Sequence, residues 1–248
     1  MADRYNFQNR AAQTRAQTGA MIDEGLRSYM LKVYNLMALG LVITGLAAFG
    51  TWQLAVEGGQ LTSFGVALYA SPLKWVVMLA PLAMVFFLSF RINRMSVSAA
   101  QTTFWVYAAL MGLSLSSIFL VFTGQSIVQT FFVTAASFGA LSLYGYTTKR
   151  DLTAMGSFMI MGLFGLIIAS IVNIFLASSA VAFAVSVLGV LIFAGLTAYD
   201  TQKIKEMYFD GDDAAVMGRK AIMGALTLYL DFVNLFMFLL QFLGNRNN

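Results

Sequence analysis

The 248-residue sequence contains no cysteine and no histidine. The absence of cysteine excludes disulfide bonds and thiolate metal sites. The absence of histidine removes the commonest metal ligand, the commonest general base and the side chain that titrates most readily near neutral pH. Any chemistry in this protein that depends on protons near neutrality must therefore come from carboxyl groups.

Charge is also scarce. Only 10% of the residues are charged, whereas 59% are hydrophobic, and the mean hydropathy is +0.77. Soluble globular domains carry about 25% charged residues, so this composition excludes that class and indicates an integral membrane protein. The net charge is +4, but the chain has no soluble domain that could bind a nucleic acid, so we expect no nucleic-acid partner.

Seven apolar runs are each long enough to cross a bilayer, which requires roughly 20 residues. They predict an all-α membrane protein with seven transmembrane helices and no second domain. The approximate spans are Val33–Val56, Leu73–Phe90, Ala99–Phe122, Val128–Tyr146, Ala154–Ala177, Val181–Tyr199 and Ala221–Leu243. Residues 1–32 are polar and basic and lack the apolar core of a signal peptide, so we expect a cytoplasmic tail followed by a transmembrane domain over 33–246.

The basic residues predict the orientation. With the N-terminus in the cytoplasm, 13 of the 15 lysines and arginines fall on the cytoplasmic side, and only Lys74 and Arg246 fall on the other. This asymmetry follows the positive-inside rule. Seven crossings would place Arg246 outside, but a last run that turned back within the membrane would end inside, and the sequence leaves that open.

The last run contains a carboxylate, Asp231. A charge near the middle of a membrane helix costs several kcal/mol and is a functional hypothesis by default. At about 100° per residue, Thr227, Asp231, Asn234 and Gln241 fall within an arc of roughly 80°, and the other faces are apolar. A narrow polar stripe between broad apolar faces predicts that the C-terminal helix is central in the bundle.

A second carboxylate, Asp200, ends the sixth run, with Thr197 one turn before it. Because a cytoplasmic connection joins the sixth and seventh helices, they run antiparallel and can be neighbours. Two close carboxylates in a medium of low dielectric constant cannot both stay ionised, so they would share a proton. Alternatively, each aspartate pairs with a nearby lysine or arginine or caps a helix, and Lys203 and Lys205 favour that for Asp200.

The depths of the two aspartates leave their contact open. If Lys205 and Lys220 mark the membrane interface, a rise of about 1.5 Å per residue places Asp200 about 8 Å deep and Asp231 about 16 Å deep. A contact between them then requires tilted helices, an extended sixth helix or basic side chains that reach back to the interface.

The segments GLTAYDTQKIKEMY and LYLDFVNLFMFLLQFLG, which contain Asp200 and Asp231, resemble the Bax inhibitor-1 family, also called the transmembrane Bax inhibitor motif family. The resemblance extends over nearly the whole chain. It implies a pH-sensitive calcium leak channel in which Asp200 and Asp231 form the pH sensor. It also implies an arginine latch on this pair, which matches Arg91 in SFRINR, with Arg94 as the second candidate.

For ligands, the resemblance implies calcium ions and protons within a lipid bilayer, and we expect no cofactor. Calcium needs six to eight oxygen ligands, so two carboxylates are too few for a tight metal site. We therefore expect calcium to bind only transiently near Asp200 and Asp231, with Thr197, Thr227 and Asn234 as pore-facing candidates.

Two other functions stay open. One is a non-conducting regulator of the stress or cell-death-suppressor type, which binds another membrane protein and uses the aspartates as a structural pH sensor. The other, more remote, is an intramembrane aspartyl protease, whose Tyr-Asp motif resembles Tyr199-Asp200. That class needs an open Gly-x-Gly segment before its second aspartate, whereas Leu228-Tyr229-Leu230 precedes Asp231, so we expect no enzyme.

The short form of the chain, without a long Pro/Gly-rich extension or a retention signal in the tail GNRNN, suggests a bacterial member in the plasma (inner) membrane. The sequence leaves open the ion selectivity, the oligomeric state and the identity of any partner protein.

Overall fold

The computed structural model describes the backbone of residues 2–247 and the side chains of residues 23–247. Within that part of the chain, seven helices are long and apolar enough to span a membrane, which confirms the all-α fold with seven transmembrane helices. Most of the predicted tail, residues 1–32, lies outside the described side chains. The first helix has no break at residue 32.

The helices follow one another with short connections. In order they are α1 (Ala2–Ala55), α2 (Ser63–Gly65), α3 (Leu73–Arg91), α4 (Val97–Leu115), α5 (Ile118–Val121), α6 (Gly124–Thr147), α7 (Thr153–Leu176), α8 (Ser179–Glu206) and α9 (Ala214–Leu243). A two-stranded hairpin, β1 (Val56–Glu57) and β2 (Gln60–Leu61), follows α1, a π-helical turn (Val66–Ala70) follows α2, and a 3-10 turn (Ile92–Arg94) follows α3.

Capping side chains define where four of the long helices begin. Ser96, Thr123, Ser178 and Asp213 immediately precede α4, α6, α8 and α9, and each side chain accepts a hydrogen bond from a backbone N–H three residues later. Such caps satisfy N–H groups that have no partner within the helix. The polar residues between the apolar runs therefore separate the spans and also start the next helix.

The third span differs from the single run expected over Ala99–Phe122. It is interrupted between α4 and α5, where the buried Ser116 hydroxyl lies 2.6 Å from the carbonyl oxygen of Leu113 and 2.8 Å from the hydroxyl of Tyr69. Serine hydroxyls compete in this way with the helical hydrogen bonds of the backbone. Hydropathy is insensitive to such a break, because both halves of the run remain apolar.

Helix α9 lies at the centre of the bundle, as predicted. In its apolar stretch 67% of the residues are buried, against 6–33% in the other six spans, and it packs against α1, α4, α6 and α8. Small residues allow this close packing: a Cβ atom on Gly224 would lie 2.9 Å from Ile204 of α8 and 3.4 Å from Val33 of α1. The least buried span, at 6%, is α7.

The C-terminal segment shows which face of the bundle α9 reaches. Asn245 accepts a hydrogen bond from the backbone N–H of Thr123 (3.0 Å), and the N–H of Asn247 donates to Val121 (2.9 Å). These bonds attach the end of the chain to the connection between α5 and α6, on the face opposite the start of α1. Helix α9 therefore crosses the whole bundle and does not turn back.

Candidate functional site

The packing of α8 against α9 determines how Asp200 and Asp231 lie relative to each other. The ammonium group of Lys220 donates to the carbonyl oxygen of Met207 (2.9 Å), so these residues lie level in the two antiparallel helices. Seven residues deeper along each helix, Asp200 is level with Thr227. Asp231 is one turn further on, about 6 Å along the axis, because an α-helix rises about 1.5 Å per residue.

This spacing brings the two carboxyl groups to the lining of one cleft. Asp231 is buried, with 4% of its surface exposed, and Asp200 is half-buried. The Oδ2 atom of Asp231 accepts no N–H or hydroxyl hydrogen bond from any described residue. A carboxylate can only accept hydrogen bonds, so a bond between the two groups requires that one of them carries a proton.

Both aspartates line a cleft of about 590 Å³ between α7, α8 and α9. Thr227 and Asn234 line the same cleft, as predicted from the polar stripe of α9. Apart from Ser170 of α7, the remaining lining is apolar. It consists of Ile160, Leu163, Leu166, Ile167, Ile171 and Ile174 of α7, Phe193 and Leu196 of α8, and Leu230 and Phe238 of α9. The cleft thus reaches along α7 to within two residues of its end at Leu176.

The two neutral polar residues of the cleft hold their side chains against their own helix. The Thr227 hydroxyl donates to Met223 (3.1 Å), and the Asn234 amide donates to Leu230 (2.8 Å). The Thr227 hydroxyl donor and one of the two amide N–H donors of Asn234 are thereby used, and each side chain keeps an oxygen atom that can accept in the cleft. Together with Asp200 and Asp231 they form a surface that favours cations.

Thr197, the third pore-facing candidate, does not line the cleft, and that prediction requires correction. It is fully buried and its hydroxyl donates to the carbonyl of Phe193 (2.7 Å). One turn later Thr201 hydrogen-bonds the hydroxyl of Ser142 on α6 (2.8 Å). This side of α8 faces α6, whereas Asp200 lies about 60° further round the helix, on the side of α7 and α9.

Helices α7 and α8 are tightly packed beside Asp200 and deeper in the bundle. The ring of Tyr199 lies directly over Gly156, where a Cβ atom would overlap it, and Met159 lies against Gly195. Toward the N-terminal face, the lining of the cleft ends at Ile160 on α7, Asp200 on α8 and Thr227 on α9.

Gln202 was not among the predicted site residues. Its side chain accepts a hydrogen bond from the backbone N–H of Leu152 (2.9 Å) and donates to the carbonyl oxygen of Arg150 (2.8 Å). These bonds attach the connection between α6 and α7 to α8, two residues beyond Asp200. The sequence feature that could have pointed to Gln202 is its position in the AYDTQK segment, two residues after Asp200. An isolated glutamine, however, belongs to no pattern that predicts a distant backbone partner.

The predicted arginine latch is not formed in this structure. Arg91 and Arg94 are both exposed, and neither lies within 4.0 Å of an acidic side chain among the described residues. In that part of the chain the salt bridge joins Lys220 to Asp212. Arg91 ends α3, which packs mainly against α4, and Arg94 lies in the 3-10 turn that follows. Lys203, one turn after Asp200 on α8, places its ammonium group over the ring of Tyr199, 5.7 Å from the ring centroid.

The geometry also limits how the site can hold a metal ion. Among residues 23–247, no three acidic side chains come together as a ligand set. The pair supplies four carboxyl oxygens at most, and calcium takes six to eight ligands, so water would have to complete the shell. The donor set fits a weak, partly hydrated ion.

Comparisons with known proteins place this geometry in context. Residues 26–248 match the model of the family described as "Inhibitor of apoptosis-promoting Bax1". The inner membrane protein YbhL of Escherichia coli (strain K12) is 46% identical over 225 residues, which cover 90% of this chain and 93% of YbhL. A protein of Rickettsia prowazekii is 53% identical over 230 residues (91% and 93% covered), and a membrane protein of Streptococcus pyogenes is 34% identical over 225 residues (91% and 96% covered).

Proposed function

The chain belongs to the Bax inhibitor-1 family, and from that membership and the geometry of the cleft we propose that it is a pH-sensitive calcium leak channel. The observation that carries the proposal is that Asp200 of α8 and the buried Asp231 of α9 line the same cleft. These groups lie at the end of the cleft nearer the N-terminal face, and that end is where a gate would act. Along α7 the cleft extends in the other direction to within two residues of the end of the helix.

The gate works through the charge of the pair. When the pair holds a net negative charge, it attracts a nearby cation and keeps α7, α8 and α9 packed together at the N-terminal face. Arg91 is the cation that the family resemblance implies. A further proton removes the charge and weakens the attraction, which biases the helices toward opening. Flux therefore rises as the pH falls.

The permeating ion contacts the pair only in passing. The carboxyl groups of Asp200 and Asp231 and the side-chain oxygens of Thr227 and Asn234 offer a weak, hydrated site, from which an ion can also leave. Conduction needs such weak binding.

The proposed channel lies in the plasma (inner) membrane of a bacterium with its N-terminus in the cytoplasm. The distribution of basic residues supports this orientation, and the name of YbhL as an inner membrane protein supports the location. The proton-sensitive end of the cleft then faces the cytoplasm.

The geometry does not support a protease. Tyr229 and Leu228, which precede Asp231, are fully buried, and the Tyr229 hydroxyl is hydrogen-bonded to Thr44 (2.6 Å). A peptide substrate needs an open backbone segment beside the second aspartate, and this segment is packed against α1 and α4.

The test is calcium flux into liposomes that contain the purified protein, measured from about pH 8 to pH 6. For the wild type we expect flux to rise as the pH falls. Asp231→Asn and Asp200→Asn should each flatten the profile, because an amide cannot change its charge. Asp210→Asn is the matched control, since Asp210 is exposed in the connection between α8 and α9 and should leave the profile unchanged.

Absence of calcium flux from folded wild-type protein at every pH would overturn the channel. That result would favour the non-conducting regulator, in which the same pair senses pH for a membrane-protein partner. A flux that keeps its full pH dependence in both pair variants would instead place the sensor elsewhere in the chain.

A further inference from the structure

A second cavity, separate from the aspartate cleft, lies between α1 and α4 at the N-terminal face of the bundle. Its volume is about 560 Å³. It is lined by Glu24, Arg27, Ser28, Leu31, Lys32, Asn35, Leu36 and Leu39 of α1 and by Gln101 and Trp105 of α4. We call it the α1–α4 groove. It changes along its length from charged to apolar.

The register of the two helices places this change of polarity at the membrane interface. Helices α1 and α4 run parallel, and the Thr44 hydroxyl donates to the carbonyl oxygen of Ala108 (2.8 Å), so these residues are level. Twelve residues back along each helix, Lys32 is level with Ser96, the cap of α4. The charged part of the groove therefore lies at the level where α4 begins, and Leu39 lies about 10 Å deeper at about 1.5 Å per residue.

The charged part of the groove is predominantly positive. Arg27 and Lys32 are exposed, and neither has an acidic side chain within 4.0 Å in the described part of the chain. The one acid in the lining, Glu24, lies about one turn from Arg27 and two turns from Lys32, toward the outer end. Ser28 and Asn35 add neutral donors beside the two cations. Two free cations with neutral donors suit a phosphate group.

Trp105 lies at the deep end of the groove, level with about Leu41 of α1. It is half-buried, packs against Phe104 with ring centroids 5.2 Å apart and faces the groove. Tryptophan is enriched where a membrane protein passes from headgroups to hydrocarbon. Between the charged part and Trp105, Leu36 and Leu39 give the groove an apolar floor that leads into the bilayer.

We propose that the α1–α4 groove binds one anionic phospholipid, with its phosphate between Arg27 and Lys32 and an acyl chain along Leu36 and Leu39 to Trp105. The apolar floor favours a lipid over a soluble phosphate, because a soluble ion would use only the charged end. The proposal is independent of the channel function, since the aspartate cleft lies on the other side of α9.

Quenching of Trp105 fluorescence tests this contact directly. The other two tryptophans, Trp52 and Trp75, lie near the opposite face of the bundle and are replaced by phenylalanine. The single-tryptophan protein is reconstituted in phosphatidylcholine that contains a small fraction of brominated phosphatidylglycerol or brominated phosphatidylcholine. We expect the anionic lipid to quench at least about threefold more than the neutral lipid at the same fraction.

Charge variants then locate the binding. Replacing both Arg27 and Lys32 by glutamine should lower quenching by the anionic lipid to the level of the neutral one. The matched control replaces Lys149 and Arg150 by glutamine, because both side chains are exposed on the same face outside the groove. This control should keep the preference.

Three results would overturn the proposal. They are equal quenching by the two lipids in the wild-type background, an equal loss of preference in the control variant, and relief of quenching by soluble glycerol phosphate. The first comparison needs no charge variant, so it decides the question even if the Arg27 and Lys32 variant fails to fold.

Discussion

Two polar side chains on α9, only two residues apart, have opposite environments. Tyr229 points toward α1 and α4, and its hydroxyl is hydrogen-bonded to Thr44 (2.6 Å) and surrounded by the rings of Phe104 and Tyr107. Asp231 lines the cleft with residues of α7 and α8, and its Oδ2 has no hydrogen-bond donor among the described residues.

The difference separates structural polarity from functional polarity on one helix. A buried polar group that is fully hydrogen-bonded strengthens packing, whereas one left without a fixed partner costs free energy that function must justify. The α1 side of the bundle should therefore determine stability, and the α7 side should determine the response to pH.

The largest expected effect is that of Asp231→Leu. It leaves Asp200 without the second carboxyl group with which it would share a proton, so the pH dependence should be lost and the ratio of calcium flux at pH 6 to that at pH 8 should fall about tenfold. The thermal midpoint in detergent should stay the same or rise, because a buried carboxyl is replaced by an apolar side chain of similar volume. A large loss of stability with intact pH dependence would instead show that Asp231 serves the stability of the bundle and not its response to pH.

Thr44→Val should have the converse effect. It leaves the Tyr229 hydroxyl buried without its partner, so we expect a loss of about 1–3 kcal/mol in the free energy of unfolding. Thr44→Ser keeps the hydroxyl and is the control. The shape of the flux profile against pH should not change, and a changed profile would show that the two faces of α9 are coupled.

Gln202→Ala tests whether the end of the cleft nearer the N-terminal face is held by the connection between α6 and α7. The variant removes two hydrogen bonds, to Arg150 and Leu152, at about 0.5–1.5 kcal/mol each. We expect faster hydrogen exchange of residues 148–153 and a few-fold higher flux at neutral pH. Unchanged hydrogen exchange in residues 148–153 would show that Gln202 does not hold this connection in place.

The smallest effect concerns Asp151, an exposed carboxylate outside the spans. Hydrogen bonds from Thr153 hold the pKa of Asp151 below its usual value. Its contribution to stability is therefore present above the unfolded-state pKa and is lost as the pH falls through the lower folded-state pKa. Asp151→Asn should remove this slight acid dependence from the thermal midpoint and leave the flux profile between pH 6 and 8 unchanged.

Much of the candidate site could be predicted from the sequence. The polar stripe of α9 gave Asp231, Thr227 and Asn234, because helical periodicity fixes which residues share a face. Thr197 was misplaced because its face could equally meet α6 or α7. Gln202 and the groove beside Lys32 were missed because their partners lie 50 or more residues away in the chain.

The sequence alone determined the class of the protein, its seven spans and the central place of α9, because hydropathy and periodicity are local properties of a chain in a bilayer. Only the tertiary structure decided that Asp200 and Asp231 line one cleft. Their relative position depends on the register of α8 against α9, which the packing of Ile204 on Gly224 fixes. It also decided that the C-terminus lies opposite the N-terminus, through backbone hydrogen bonds to the connection before α6, since hydrogen bonds between distant segments leave no periodic pattern in the sequence.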